Sequence, residues 1–205
     1  MFLPSITPDE INRLPLAAFN GRAVIISSPE KLTPELIDHF NRADIIGFDT
    51  ETKPSFQVGK RHKTALLQIS TDTTALLIKL QQVGLPIPIA ELLENPNITK
   101  VGAAVKEDIR GLQKFRNFEP HGFIDLQQLV PVFNIQDKSV RKLTAIILGR
   151  RISKSMQLSN WENANYSEPQ ISYAATDAWI CRRMLLELQR VAPEEVKLWY
   201  SQHSA

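Results

Sequence analysis

The sequence predicts an α/β fold built on a mixed sheet, and three observations carry that reading. Short β-branched and apolar runs fill the first half of the chain, helical periodicity dominates the second half, and one pair of strands is joined too tightly for a crossover. With 205 residues, 43% hydrophobic and 22% charged, the chain is long enough for a sizeable core and too apolar for disorder. It reads as a single domain, 1–205, with the informative segments between about 23 and 190.

The elements follow in order. Thr7-Pro8-Asp9-Glu10 has capping-box spacing with proline at the first helical position, so a short helix starts there. Ala23–Ser27 is a strand. Thr33-Pro34-Glu35 opens a second helix with Leu36, Ile37 and Phe40 on one face. Asp44–Asp49 is a strand that ends in acids. Ala65–Ser70 and Thr74–Ile78, split by Thr71-Asp72-Thr73, form a hairpin. Ile87–Leu93 is a short helix and Ile98–Val101 a short strand. Helical periodicity then marks Glu107–Phe118, Leu126–Phe133, Val140–Leu148 and Gln170–Arg190, with further capping-box spacings at Ser159/Glu162 and Ser167/Gln170.

Composition narrows the functional classes. A single cysteine, Cys181, excludes an internal disulfide and points to an intracellular, cytoplasmic setting. No apolar run reaches the ~18 to 20 residues that span a bilayer, so no membrane partner is expected, and the first residues do not read as a signal peptide. The formal net charge of +2 means that any polyanion site is local.

Three sets of acids could carry chemistry. Asp49 and Glu51 lie at i and i+2 at the end of an apolar strand, so both point to one face, where repulsion favours a bound cation such as Mg²⁺ or Mn²⁺. Alone, such a pair is more often a turn cap beside a solvated acid. Tyr173 and Asp177, four apart, share one face of a helix; a core tyrosine beside a surface acid fits the same spacing. Asp108 follows a small-residue turn into a helix, where it can bind a metal or simply favour the helix dipole.

Together, in this order, they resemble the DEDD 3′–5′ exonucleases. Ile45-Ile46-Gly47-Phe48-Asp49-Thr50-Glu51-Thr52 is similar to the first motif and Val101-Gly102 through Asp108 to Leu112 to the second. Tyr173-Ala174-Ala175-Thr176-Asp177 is similar to the third in the tyrosine form that marks the DEDDy subfamily. Lys53-Pro54-Ser55-Phe56, Thr64–Ser70 and Ser159-Asn160-Trp161-Glu162 also resemble the ribonuclease D and Werner-like branches. Many members carry His-Asn after the Val-Gly of the second motif; here the residues are Ala103-Ala104.

The resemblance implies a ribonuclease H-like, mostly five-stranded sheet flanked by helices. It implies a hydrolase that releases nucleoside 5′-monophosphates from the 3′ end of DNA or RNA with two divalent ions, Mg²⁺ or Mn²⁺. Asp49, Glu51 and Asp177 would hold the first ion. Asp49 would bridge to the second, joined by Asp108, and Tyr173 would orient the attacking water. Implied substrate contacts are Thr52, Phe56, Leu66, Asn160 and Trp161, with core packing the competing role of Leu66 and Trp161. The basic run Lys60-Arg61-His62-Lys63 could meet phosphates, as could the looser group Lys142, Arg150, Arg151 and Lys154. His39, His62, His121 and His203 do not fall where a catalytic histidine would. A nucleic-acid-binding module without catalysis, or a ribonuclease H-like endonuclease, are the competing functions; retention of all the acids argues against the first and the Tyr-x-x-x-Asp helix against the second.

Overall fold

The computed structural model describes residues 2–55, 59 and 62–203. Its sheet is built from β1 (Arg22–Ile26), β2 (Ile45–Thr52), β3 (Thr64–Ser70), β4 (Thr74–Lys79), β5 (Thr99–Gly102) and β6 (Phe123–Asp125), in the spatial order β1-β4-β3-β2-β5-β6. β3 runs antiparallel to both of its neighbours, while the β1–β4, β2–β5 and β5–β6 pairs are parallel. The five strands from β4 to β6 form the ribonuclease H-like sheet, and β1 adds a sixth at its edge.

Around the sheet lie α1 (Pro8–Arg13), α2 (Pro34–Asn41), α3 (Leu80–Val83), α4 (Ile87–Glu94), α5 (Val105–Gln113), α6 (Leu126–Leu129), α7 (Val140–Leu148), α8 (Glu168–Val191) and α9 (Pro193–His203). Strand alternation sorts the core into layers. Ile46, Phe48, Leu67 and Ile69 face Phe40 of α2, Leu92 and Leu93 of α4, and Leu112 of α5. The opposite face carries Gly47, Asp49 and Glu51 on β2, and here α8 lies across the sheet. At Gly47 a Cβ would stand 1.8 Å from the Ala178 carbonyl oxygen. A glycine thus lets the helix backbone rest on the strand. Ala174 and Ala178 of α8, each fully buried, keep the same approach short.

Several expected elements change in detail. The helix expected over Glu107–Phe118 runs from Val105 to Gln113 instead. That expected over Leu126–Phe133 is a single α turn followed by a 3₁₀ turn, Val130–Phe133, because Pro131 has no N–H to continue the ladder. Ser159 opens no helix: Asn160 Oδ1 accepts the Glu162 N–H at 3.1 Å and closes a turn. The Ser167/Gln170 box does open α8. β6, α3 and α9 carried no clear sequence signal.

The N-terminal segment is tied down along its length. Pro4 O accepts the Gln136 N–H, Ile6 N–H donates to Asp137, and Arg151 bonds the backbone of Leu14, Pro15 and Ala17. Phe19 N–H then donates to Thr176 Oγ1 at 3.0 Å, one residue from Asp177. Among the described residues no helix is long and apolar enough to cross a membrane.

Candidate active site

β2 outruns its parallel neighbour. Its pairing with β5 ends at Gly47, whereas its pairing with β3 continues to Thr52. Asp49 and Glu51 therefore stand where the sheet opens beside the turn from β5 into α5. α8 supplies Asp177 from above. One oxygen each of Asp49, Glu51 and Asp177 lie within 4.8 Å of one another. Tyr173 lies one turn earlier on the same face of α8, with its phenol beside the Asp177 carboxyl.

Asp108 reaches the site differently. It lies on α5, outside the three-carboxylate cluster, and accepts a hydrogen bond from Thr50 Oγ1. Thr50 points to the opposite face of β2 from its two acidic neighbours, so it tethers Asp108 at the strand end. The N-terminus of α5 is shaped by Ala104, which adopts φ +60° and donates its N–H to Asp125 Oδ1 at 2.9 Å. Asparagine tolerates this left-handed conformation better than alanine.

The cluster is electrostatically frustrated. Burial, then repulsion from Asp177, Glu51 and Asp108, holds the Asp49 carboxyl well above the usual carboxylate range. Burial and the charges of Asp177 and Asp108 push Glu51 up to about 8. Burial takes Asp177 to about 7, against the lowering effect of the Tyr173 phenol beside it. Asp108 rises to about 6, mainly through burial and despite the Thr50 hydrogen bond. Among the described residues, no lysine or arginine is ion-paired with any of the four. Hard oxygen donors that converge, repel and lack a protein counter-charge fit a divalent cation such as Mg²⁺ or Mn²⁺. Burial first, then the acids, also raises the Tyr173 phenol far above its ordinary value.

Asp49, Glu51 and Asp177 line a cleft of about 270 Å³ together with Ser139, Arg141, Ile152, Lys154 and Gln157. Lys154 was legible as part of a basic group; Arg141, at the start of α7, was not. Lys142 is instead held by Asp137 at 2.6 Å, and Arg151 by the Leu14 carbonyl at 3.0 Å.

The suggested substrate contacts divide. Thr52, Lys63 and Asn160 are exposed. Phe56, Lys60 and Arg61 lie outside the described residues. Leu66 and Trp161 are both 0% exposed, packed with Leu77 and Ala174 between the sheet and α8, as their competing role in the core requires. They form the floor beneath Tyr173, whose ring centroid lies 5.9 Å from that of Trp161. Sequence reasoning missed Glu162, which accepts from Lys53 at 3.1 Å and from Gln81, with His62 Nδ1 at 3.2 Å. It ties the chain after β2 to the segment before α8.

A mixed sheet flanked by helices, with a carboxylate cluster where β2 meets α8, places the chain in the ribonuclease H-like fold class. Residues 24–192 match the 3′–5′ exonuclease family, and the chain belongs to that family. The mouse bifunctional 3′–5′ exonuclease/ATP-dependent helicase WRN is 28% identical over 177 residues, covering 82% of this chain but 13% of the relative. The catalytic core of RRP6 from Trypanosoma brucei shares the fold with a TM-score of 0.75 at 20% identity, over 98% of this chain and 56% of that one. Trypanosoma brucei RNase D, solved in complex with RNA U12, matches with a TM-score of 0.68 at 19% identity, over 91% and 72%.

Proposed function

We propose that this chain hydrolyses the terminal phosphodiester at the 3′ end of a nucleic acid strand, releasing nucleoside 5′-monophosphates in a reaction that depends on two divalent ions. The observation that carries this reading is the convergence of Asp49, Glu51 and Asp177 within 4.8 Å, one helical turn from Tyr173. Asp49, Glu51 and Asp177 would hold one ion, and Asp49 with Asp108 the other. Ions bound there supply positive charge to the attacking and leaving oxygens of an in-line displacement.

The chain's own groups set the rest. Burial and the neighbouring acids raise the Tyr173 phenol above its ordinary value, so it is protonated near neutral pH. It is therefore a positioning group, donating to Asp177 and offering an oxygen lone pair to the attacking water, and not the base. Thr50 holds Asp108 in one orientation. Arg141 and Lys154, which line the same cleft, can meet the phosphates of the strand. Thr52, exposed at the end of β2, is available to the terminal sugar.

Both DNA and RNA fit this chemistry. The test uses 5′-labelled single-stranded DNA, a 3′-recessed duplex and RNA, each with Mg²⁺, Mn²⁺ or EDTA, beside Asp49→Ala. The expected result is a ladder that shortens from the 3′ end and disappears with EDTA and with the variant. Folded protein that shortens none of the three substrates would refute the proposal and favour a binding module.

A further inference from the structure

Among the described residues, three buried side-chain atoms have no hydrogen-bond partner: Gln68 Oε1, Gln68 Nε2 and Trp161 Nε1. They belong to one layer. Gln68 is the register partner of Asp49 in the β2–β3 ladder and of Leu77 in the β3–β4 ladder. Paired residues stand on the same face of a sheet, with Cβ atoms about 4.5–5.5 Å apart. Trp161 packs on that face with Leu66, Leu77 and Ala174. Gln68 and Trp161 are both 0% exposed.

Packing does not explain an amide here. Leu66, two residues along β3, and Leu77, its partner on β4, flank Gln68 on this face, so a leucine or methionine would extend that apolar packing without leaving polar atoms unpaired. Buried orphans of this kind are rare. The charged group opposite Gln68 in the ladder is Asp49, whose carboxylate offers lone pairs to the amide.

We infer that Gln68 is a positioning residue for Asp49. Its Nε2–H donates to the Asp49 carboxylate, and its Oε1 accepts from Trp161 Nε1–H, when the acids close on a divalent cation. One side chain then pairs all three orphaned atoms and fixes the carboxylate that would be shared between two ions. A neutral amide suits this place better than lysine or arginine, because a fixed positive charge beside Asp49 would compete with the metal. Second partners of this kind orient metal-binding carboxylates, and their loss weakens metal affinity about 10–100-fold. The inference rests on the reading of Asp49 as a metal ligand.

The test is Mn²⁺ binding to the substrate-free protein, followed through the electron paramagnetic resonance signal of free Mn²⁺. It compares wild type, Gln68→Met, Gln68→Leu and Trp161→Phe. Melting in EDTA and the kcat and KM for a 5′-labelled oligonucleotide are measured beside it. Gln68→Met is expected to melt in EDTA at or above the wild-type temperature, to bind Mn²⁺ about 10–100-fold more weakly, and to lose kcat with KM unchanged. Gln68→Leu gives the same readout should the methionine variant not fold. Trp161→Phe, which leaves Gln68 intact, is expected to weaken Mn²⁺ in the same direction by a smaller factor. Wild-type Mn²⁺ affinity in the folded Gln68 variants, with or without a change in melting, would reduce Gln68 to core filling and overturn the inference. A wild-type protein that neither binds Mn²⁺ nor cuts any substrate would instead overturn the metal-site reading itself.

Discussion

Glu51→Gln is expected to make the metal-free protein more stable while abolishing its activity, and the gain should grow with pH. The Glu51 carboxyl is pushed up to about 8, against 4.5 for the free group. Between those values the folded chain holds a proton that the unfolded chain releases. Stability therefore falls as pH rises, by up to about 1.4 kcal/mol per pH unit. From pH 5.5 to 7.5 the loss from this one group integrates to about 2.5 kcal/mol. For a chain of this length that corresponds to about 5–10 °C in Tm. Glutamine keeps the shape and cannot ionise. It also relieves Asp49, whose carboxyl Glu51 helps to raise. In EDTA, the Tm of the variant minus that of wild type should widen by about 5–10 °C between pH 5.5 and 7.5. Millimolar Mn²⁺ should then restore wild type more than the variant, by binding the folded state alone. Parallel melting profiles in EDTA would show that Glu51 is not under this strain and would refute the reasoning.

Three further outcomes follow from named contacts. Tyr173→Phe should lower kcat by roughly ten- to a hundredfold with little change in KM and no change in the alkaline limb of the pH profile; loss of that limb would make the phenol the base. Gly47→Ala should cost about 3 kcal/mol or more in urea unfolding, because its Cβ would stand 1.8 Å from the Ala178 carbonyl; a near-neutral result would mean that α8 does not rest on β2 as described. Ala104→Gly should stabilise by about 1 kcal/mol, since a Cβ at φ +60° is released, and an unchanged or lower Tm would contradict that account.

The parts of the site that follow from spacing were visible in the sequence. Period 2 put Asp49 and Glu51 on one face of β2, and an interval of four put Tyr173 and Asp177 on one face of α8. Their meeting was not a matter of spacing. It depends on Gly47 and the alanines of α8, whose small size records the approach of a helix to a strand only once the two are known to cross. Asp108 was found through its resemblance to a motif, but its tether to Thr50 needs the strand end and α5 together. β6 escaped because Phe123-Ile124-Asp125 is too short to show a period, and α9 because it buries little beyond Val196 and Trp199. Gln68 was hidden for a related reason. A glutamine in a strand reads as solvent-facing, and its burial becomes apparent only when α8 covers that face.

The clasp of the N-terminal segment also sets an order on synthesis. Ile6 bonds a residue 131 positions later, and Phe19 one 157 positions later. A chain leaving the ribosome therefore carries its first twenty residues without their partners until α7 and the first turns of α8 have emerged. At about 5–20 residues per second that wait is on the order of ten to thirty seconds. The β3–β4 hairpin can form early in that interval. The Thr176 contact beside Asp177 forms late, so the face of α8 that carries Tyr173 and Asp177 is among the last parts of this molecule to settle.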